Sequence, residues 1–82
     1  MIVELWSVDP AANRARGYRV ATTRTLFGEP CVKIQWGRIG QHWREKTELY
    51  PDDALCEQRV RTLVNLRTGR GYVAQRLFGN TQ

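Results

Sequence analysis

The sequence predicts a small α+β domain, an antiparallel sheet of about four strands with one main helix packed on one face. Three observations carry this prediction. Two segments alternate apolar and polar side chains with the period of a half-buried strand; a Gly-x-x-Gly stretch links the second to another strand-like segment; and a stripe at helical spacing follows Pro51. A chain of 82 residues supports one hydrophobic core, so residues 1–82 are read as a single domain, with the core in about 1–73 and a tail over 74–82.

The first element, Ile2 to Val8, is rich in Ile, Val, Leu and Trp and stops at Asp9-Pro10, as a strand closed by a turn does. Ala11 to Arg16 reads as a polar loop. In Gly17 to Thr23, Tyr18, Val20 and Thr22 alternate with Arg19, Ala21 and Thr23, the pattern of a second strand. Leu26-Phe27-Gly28-Glu29-Pro30 carries the Gly and Pro of a connection, and the apolar pair in it is expected to fold back onto the body. Cys31 to Trp36 alternates again, with Val32, Ile34 and Trp36 opposite Cys31, Lys33 and Gln35. Gly37 and Gly40 bracket a tight turn into a fourth strand, Trp43 to Leu49. If Trp43, Thr47 and Leu49 face inward, Arg44, Lys46 and Glu48 join Arg19, Lys33 and Gln35 on a strongly basic outer face.

Pro51-Asp52-Asp53 suits a helix start, because proline fits the first turn and acids complement the positive end of the helix dipole. Cys56, Val60, Leu63, Val64 and Arg67 then recur at helical spacing, with Leu55 expected to be buried beside them against Val20, Val32 and Ile34. The helix should end near Thr68 with Gly69 as its cap. Beyond it, Tyr72, Val73, Leu77 and Phe78 offer apolar groups for docking, and 79–82 should fray.

The 13 Lys and Arg against 8 Asp and Glu leave a net charge of +5. Residues 14–46 hold eight basic side chains and two acidic ones, and residues 58–82 hold five arginines and no acid. Eleven of the basic residues are Arg, whose planar fork suits phosphate oxygens and stacked bases. That balance points to a polyanionic partner. Arginines also stand beside aromatic rings at Trp36 and Arg38, Trp43 and Arg44, and Tyr18 and Arg19, a combination that serves base stacking with phosphate contact. By strict alternation Trp36 shares a phase with Val32 and Ile34, so core and ligand contact both remain open for it.

Catalytic chemistry has little to draw on. His42 is the sole histidine and stands in a turn, with no nucleophile or carboxylate in a catalytic pattern around it. Asp52-Asp53 is accounted for by the helix start, and Thr68-Gly69-Arg70-Gly71-Tyr72 follows a helix where a phosphate-binding loop would precede one. Cys31 and Cys56 lack further Cys or His at zinc spacing; buried thiols and a disulfide both stay open. No metal or cofactor is expected. No apolar run reaches membrane-spanning length and no secretory signal is visible, so a cytoplasmic location and no membrane partner are expected.

Trp36-Gly37-Arg38-Ile39-Gly40 resembles the signature of the WGR domain family. The likeness extends to Leu5, Val8 and Asp9, to Gly17-Tyr18-Arg19-Val20, and to Lys46, Ala54 and Arg67-Thr68-Gly69-Arg70-Gly71-Tyr72, and so covers about Met1 to Tyr72. The resemblance implies a small antiparallel sheet with a helix against it. It also implies DNA contact, as in the poly(ADP-ribose) polymerases that carry this domain beside a catalytic one; small bacterial proteins carry it too. The family's signature Trp lies against a nucleotide at a strand end and its signature Arg supports contacts to DNA or neighbouring domains, roles that fall on Trp36 and Arg38. Trp43 stands where the family usually has a small residue, and Arg67 where it commonly has Lys. The reading is therefore a non-catalytic nucleic-acid-binding module, for DNA before RNA and for backbone or strand ends. Its candidate contacts are Trp36, Gly37, Arg38, Arg19, Lys33, Gln35, Trp43, Arg44 and Lys46. The alternative is a protein–protein adaptor, in which Arg38 pairs with acids on a partner.

Overall fold

The structure, a computed structural model, describes residues 1–75. Strand β1 (Ile2–Asp9) passes through a 3-10 turn at Pro10–Ala12 into β2 (Arg14–Arg24), followed by β3 (Pro30–Arg38), β4 (Arg44–Leu49), helix α1 (Asp53–Thr68) and β5 (Val73–Gln75). The strands form one antiparallel sheet in the order β4-β3-β2-β1-β5. This is the α+β arrangement that the alternation predicts, with one strand more: Val73–Gln75 pairs with Glu4, Leu5 and Trp6 along the outer edge of β1. Of the tail expected over 74–82, Ala74 and Gln75 are paired in β5, and residues 76–82, with Leu77 and Phe78, lie outside the described residues.

The loop expected over 11–16 is shorter. Asn13, in a left-handed conformation (φ 52°), ends the 3-10 turn with its N–H on the Pro10 carbonyl (3.1 Å), and pairing starts at Asp9 opposite Arg14. Arg14 and Arg16 consequently belong to β2. Leu26 and Phe27 also depart from expectation, being essentially fully exposed (102% and 91%) at the tip of the β2–β3 hairpin. A turn closed by Gly28 N–H donating to the Thr25 carbonyl (2.9 Å) holds them out, with Gly28 at φ 81°.

One face of the sheet makes the core. Leu5, Tyr18, Val20, Val32 and Ile34 are buried there against Cys56, Val60 and Leu63 of α1, and Val3, Trp36, Tyr50, Val64 and Tyr72 pack around them. The helix starts where the sequence places it: Asp52 caps it by accepting from Leu55 N–H at 2.8 Å, and Asp53 lies in the first turn. Leu55 is the correction to the apolar stripe, since it is 39% exposed, whereas Cys56, one residue on and about 100° round the helix, is buried. At the other end Gly69 caps the helix, but the left-handed residue is Gly71 (φ 92°). Gly71 N–H donates to the Thr68 carbonyl and Tyr72 N–H to the Arg67 carbonyl, both at 3.1 Å. These are the two bonds of a Schellman ending, which turns the chain so that Tyr72 lies against the sheet and β5 can begin.

Glu48 fastens β4 to the helix. Its carboxylate accepts two hydrogen bonds from Arg59 (2.9 and 3.3 Å) and one from the Tyr50 hydroxyl (2.8 Å), with Lys46 Nζ at 3.3 Å. The Arg59 guanidinium, helped by Tyr50 and Lys46, outweighs the opposing effect of burial and holds the carboxyl at about 2, below its usual 4.5.

Two outcomes follow. Leu63→Ala should cost about 2–5 kcal/mol in urea unfolding, because it empties a buried position, and Leu55→Ala should cost less than about 1 kcal/mol. Equal costs would contradict the helical face described. Because the pKa of Glu48 is depressed on folding, its stabilisation is fully present above about pH 4.5 and is lost as pH falls towards 2. Glu48→Gln should therefore be less stable than the parent at neutral pH, and the difference should shrink across that window in pH-dependent melts.

Candidate nucleic-acid interface

The register divides the nine candidate residues between two faces. Trp36 lies opposite Tyr18 on one side and Arg44 on the other, Ile34 opposite Lys46, and Val32 opposite Glu48. Opposed residues share a face, so Arg44, Lys46 and Glu48 stand on the helix side with Trp36 and, two residues on, Arg38. The expectation that they would join Arg19, Lys33 and Gln35 on one basic outer face is thereby overturned. β4 reads Arg-Glu-Lys-Thr-Glu-Leu, polar in both phases but for its last residue, so no apolar alternation sets which side it turns inward. Arg19, Lys33 and Gln35 lie on the opposite, uncovered face with Glu45 and Thr47.

On the helix side, at the end where α1 stops, Trp36, Gly37 and Arg38 line a cleft of about 560 Å³ with Arg14, Arg16, Arg67 and Tyr72. Tyr18, which the sequence placed among the stacking candidates, is buried beneath it. Its ring carries the Arg67 guanidinium at 4.2 Å and meets Tyr72 edge-on at 6.4 Å between centroids. Trp36 is half-buried, its ring serving both the core and the cleft wall. Arg16 and Arg38 face each other directly across β2 and β3. Like charges so placed repel, yet none of Arg16, Arg38, Arg44 and Arg67 has a carboxylate partner among the described residues. Arg38 is instead oriented by Asn13, donating to its backbone carbonyl and its side-chain oxygen, both at 3.2 Å. Its two partners are thus neutral oxygens, and the guanidinium carries no ion pair among the described residues.

Arg14, Arg16, Arg67 and Tyr72 are the cleft residues that sequence reasoning missed. A signal existed for two of them: Arg16 shares the phase of Tyr18 and Val20, and Arg67 continues the stripe through Cys56, Val60 and Leu63. Arg14 was hidden by the loop assignment and Tyr72 by the Schellman turn.

Trp43 is not on a strand and presents no free stacking face to the cleft. Its ring lies over Gly17 and Gly37, which are opposed in β2 and β3, and its Nε1–H donates to the Arg38 carbonyl at 2.9 Å. A methyl group on Gly17 would collide with the six-membered ring of Trp43, and one on Gly37 would come within 2.8 Å of Trp43 Cδ1. Only a floor without side chains lets the ring sit down, and seated there it braces the turn from outside. Arg19 lies 5.8 Å from the Trp43 ring and is bound to Glu4 at 2.9 and 2.6 Å, while Trp6 Nε1–H donates to the other Glu4 oxygen at 2.7 Å. Gln35 donates to Glu45 at 3.0 Å. The polar groups of the uncovered face are thus largely engaged with one another, those of the cleft far less so.

The remaining chemistry is plain. His42 is exposed, Asp52 and Asp53 serve the helix start, and Cys31 and Cys56 are free, buried thiols, with burial raising the pKa of Cys56. Among the described residues no three His, Cys, Asp or Glu side chains gather as metal ligands, and no helix is long and apolar enough to cross a membrane.

Compared with known proteins, residues 1–79 match the family model of the WGR domain. A curated protein from Sinorhizobium fredii (strain NBRC 101917 / NGR234), described as "Uncharacterized protein y4dW", is 29% identical over 65 residues. The match takes in 79% of this chain and 32% of that protein, so the chain spans about a third of the relative's length. No solved structure matches.

The contact between Trp43 and the glycines predicts a coupling. Gly17→Ala should destabilise by about 1–3 kcal/mol through overpacking. In a Trp43→Ala background the same substitution should cost almost nothing, so that the double-mutant cycle in urea shows a coupling of similar size. Additive costs would mean that the ring does not rest on Gly17 in solution.

Proposed function

Because this chain belongs to the WGR domain family, we propose that it is a non-catalytic module that binds nucleic acid, DNA before RNA, at the backbone or a strand end, through the cleft at the Trp-Gly-Arg turn. The observation that carries this reading is the gathering of Arg16, Arg38 and Arg67, none ion-paired among the described residues, around the half-buried Trp36. Such a cleft supplies the two things a nucleotide asks for: an aromatic face for base or sugar, and guanidinium forks for the phosphates on either side. Bringing in an anion also relieves the repulsion between Arg16 and Arg38, so binding restores a balance that the free protein lacks.

Within this reading the nine candidates take different parts. Trp36 and Arg38 make contact, Gly37 leaves room for the brace behind them, and Arg44 and Lys46 extend the basic path along the same face. Lys46 does so while held by Glu48. Arg19, Lys33, Gln35 and Trp43 stand behind the sheet and act on binding only through the fold. An adaptor role is the second reading, favoured by the exposed pair Leu26 and Phe27, which a nucleic-acid contact at the cleft leaves unused.

Fluorescence anisotropy with single-stranded, nicked and duplex DNA at two salt concentrations tests the proposal. Arg16→Ala and Arg38→Ala should each weaken binding by about 1–3 kcal/mol and flatten the salt dependence by about one unit, with melting temperature little changed. Trp36→Ala should weaken binding by about 1–3 kcal/mol, corrected for any loss of fold. Arg19→Ala should leave DNA affinity unchanged once folding is matched. Arg19→Ala weakening binding as much as Arg38→Ala would move the interface to the other face, and no binding at low salt would leave the adaptor reading.

A further inference from the structure

At the far end of the β2–β3 hairpin from the cleft, two bulky apolar side chains stand in solvent on a turn that is unusually well fixed. Single exposed hydrophobes are ordinary. Here Leu26 and Phe27 are consecutive and show 102% and 91% of their surface. Five hydrogen bonds that involve its backbone tie the turn beneath them, besides one from the Thr25 hydroxyl to the Glu29 carboxylate (3.3 Å). Thr25 N–H donates to the Glu29 carbonyl (3.0 Å) and Gly28 N–H to the Thr25 carbonyl (2.9 Å). Thr25 Oγ1 accepts from Phe27 and Glu29 N–H, both at 3.2 Å. Arg24 Nη1 donates to the Gly28 carbonyl (2.7 Å). A pair displayed on so rigid a turn loses little backbone freedom when it docks.

The charges around the tip narrow what it docks into. Arg24 also binds Asp53 at 2.6 Å, which brings the acidic start of α1, Asp52 and Asp53, beside the turn, and Glu29 lies within it. Three carboxylates outnumber the Arg24 guanidinium and the Met1 ammonium, which donates to Thr22 Oγ1 at 3.1 Å, so the tip is net acidic and unsuited to DNA or an anionic lipid surface. Its complement is an apolar or aromatic recess rimmed by arginines, and this molecule has one. The cleft offers the Trp36 and Tyr72 rings and the guanidinium groups of Arg16, Arg38 and Arg67. The tip cannot reach its own cleft: Arg24 lies eight positions beyond Arg16 along β2, a span of about 27 Å.

We propose that the Leu26–Phe27 tip of one copy inserts into the Trp36–Arg38 cleft of a second copy, so that the protein self-associates tip to cleft and covers its own anion site when no nucleic acid is present. Phe27 stacks among the rings and guanidiniums while Glu29 and the start of α1 meet the arginine rim. The contact is heterologous, using two different patches, and closes only if two copies exchange tips. The self-association stands on geometry and charge alone; its release by nucleic acid rests on the function proposed above.

Sedimentation equilibrium from low micromolar to millimolar protein tests it. The parent should depart from monomer mass as concentration rises. Phe27→Ser, at a position that contributes nothing to the core, and Arg16→Glu, in the cleft, should each weaken association by about tenfold or more while melting like the parent. An equimolar mixture of the two should recover association, because one retains a working cleft and the other a working tip. A parent that stays monomeric at millimolar concentration, or association indifferent to Phe27→Ser, or a mixture that does not recover, overturns the proposal. A short single-stranded oligonucleotide should return the parent to monomer. If the oligonucleotide binds and leaves the association intact, the cleft is not the acceptor and the proposal fails. If it does not bind at all while the mixture recovers, the nucleic-acid reading fails and the tip-to-cleft contact stands.

Discussion

A single helix has to cover one face of a five-stranded sheet, and most of what is distinctive in this molecule follows from where that cover runs out. The buried face of α1 is short: Cys56, Val60 and Leu63 are its buried side chains, set against Leu5, Val20, Val32 and Ile34. One turn further on, the inward position is occupied by Arg67, which lies over the Tyr18 ring and extends its charged end past the aromatic layer. Apolar cover ends there and the cleft begins. Trp36 is half-buried for the same reason, being the last ring of the β3 core phase, with Arg38 next in that phase.

The Trp-Gly-Arg turn depends on both faces of the sheet at once. From the helix side Asn13, in its left-handed conformation, supplies two oxygens to Arg38. From the uncovered side Trp43 holds the carbonyl of the same arginine and rests on two glycines. The glycine of the signature is thus required by the contact behind it: a side chain at Gly37 would meet Trp43, and the brace would be lost. Arg19, Glu4 and Trp6 continue that buttress as one hydrogen-bonded group. The aromatic and arginine neighbours of the sequence therefore divide: Trp36 and Arg38 line the cleft, Trp43 parts from Arg44 and, with Arg19 beside it, holds the back wall, and Tyr18 is buried.

Much was legible in the sequence, and for identifiable reasons. Alternation in Gly17 to Thr23 and Cys31 to Trp36, the helix start at Asp52 and the stripe from Cys56 to Arg67 each encode burial in local spacing, so the α+β class, the strands and the helical face could be read directly. The Trp-Gly-Arg stretch and the arginine excess drew attention to the turn on which the proposed site is built. Exposed Leu26 and Phe27 went against expectation because a turn with enough hydrogen bonds of its own needs no core beneath it. β5 was missed because three residues carry too little pattern to announce an edge strand.

Only the tertiary structure decided which arginines lie together. A strand whose residues are polar in both phases can turn either side inward with little change in its own burial, and β4 is such a strand; its face is set by pairing with β3 and by Glu48 reaching Arg59 across the core. Arg16 meets Arg38 through the register of β2 on β3, and Arg67 joins them through the packing of α1, at sequence separations that no local pattern spans. The sequence by itself determined the elements and the signature turn, since both are written in neighbouring residues. The site is a product of register and helix placement, which are settled by the burial of the whole face at once.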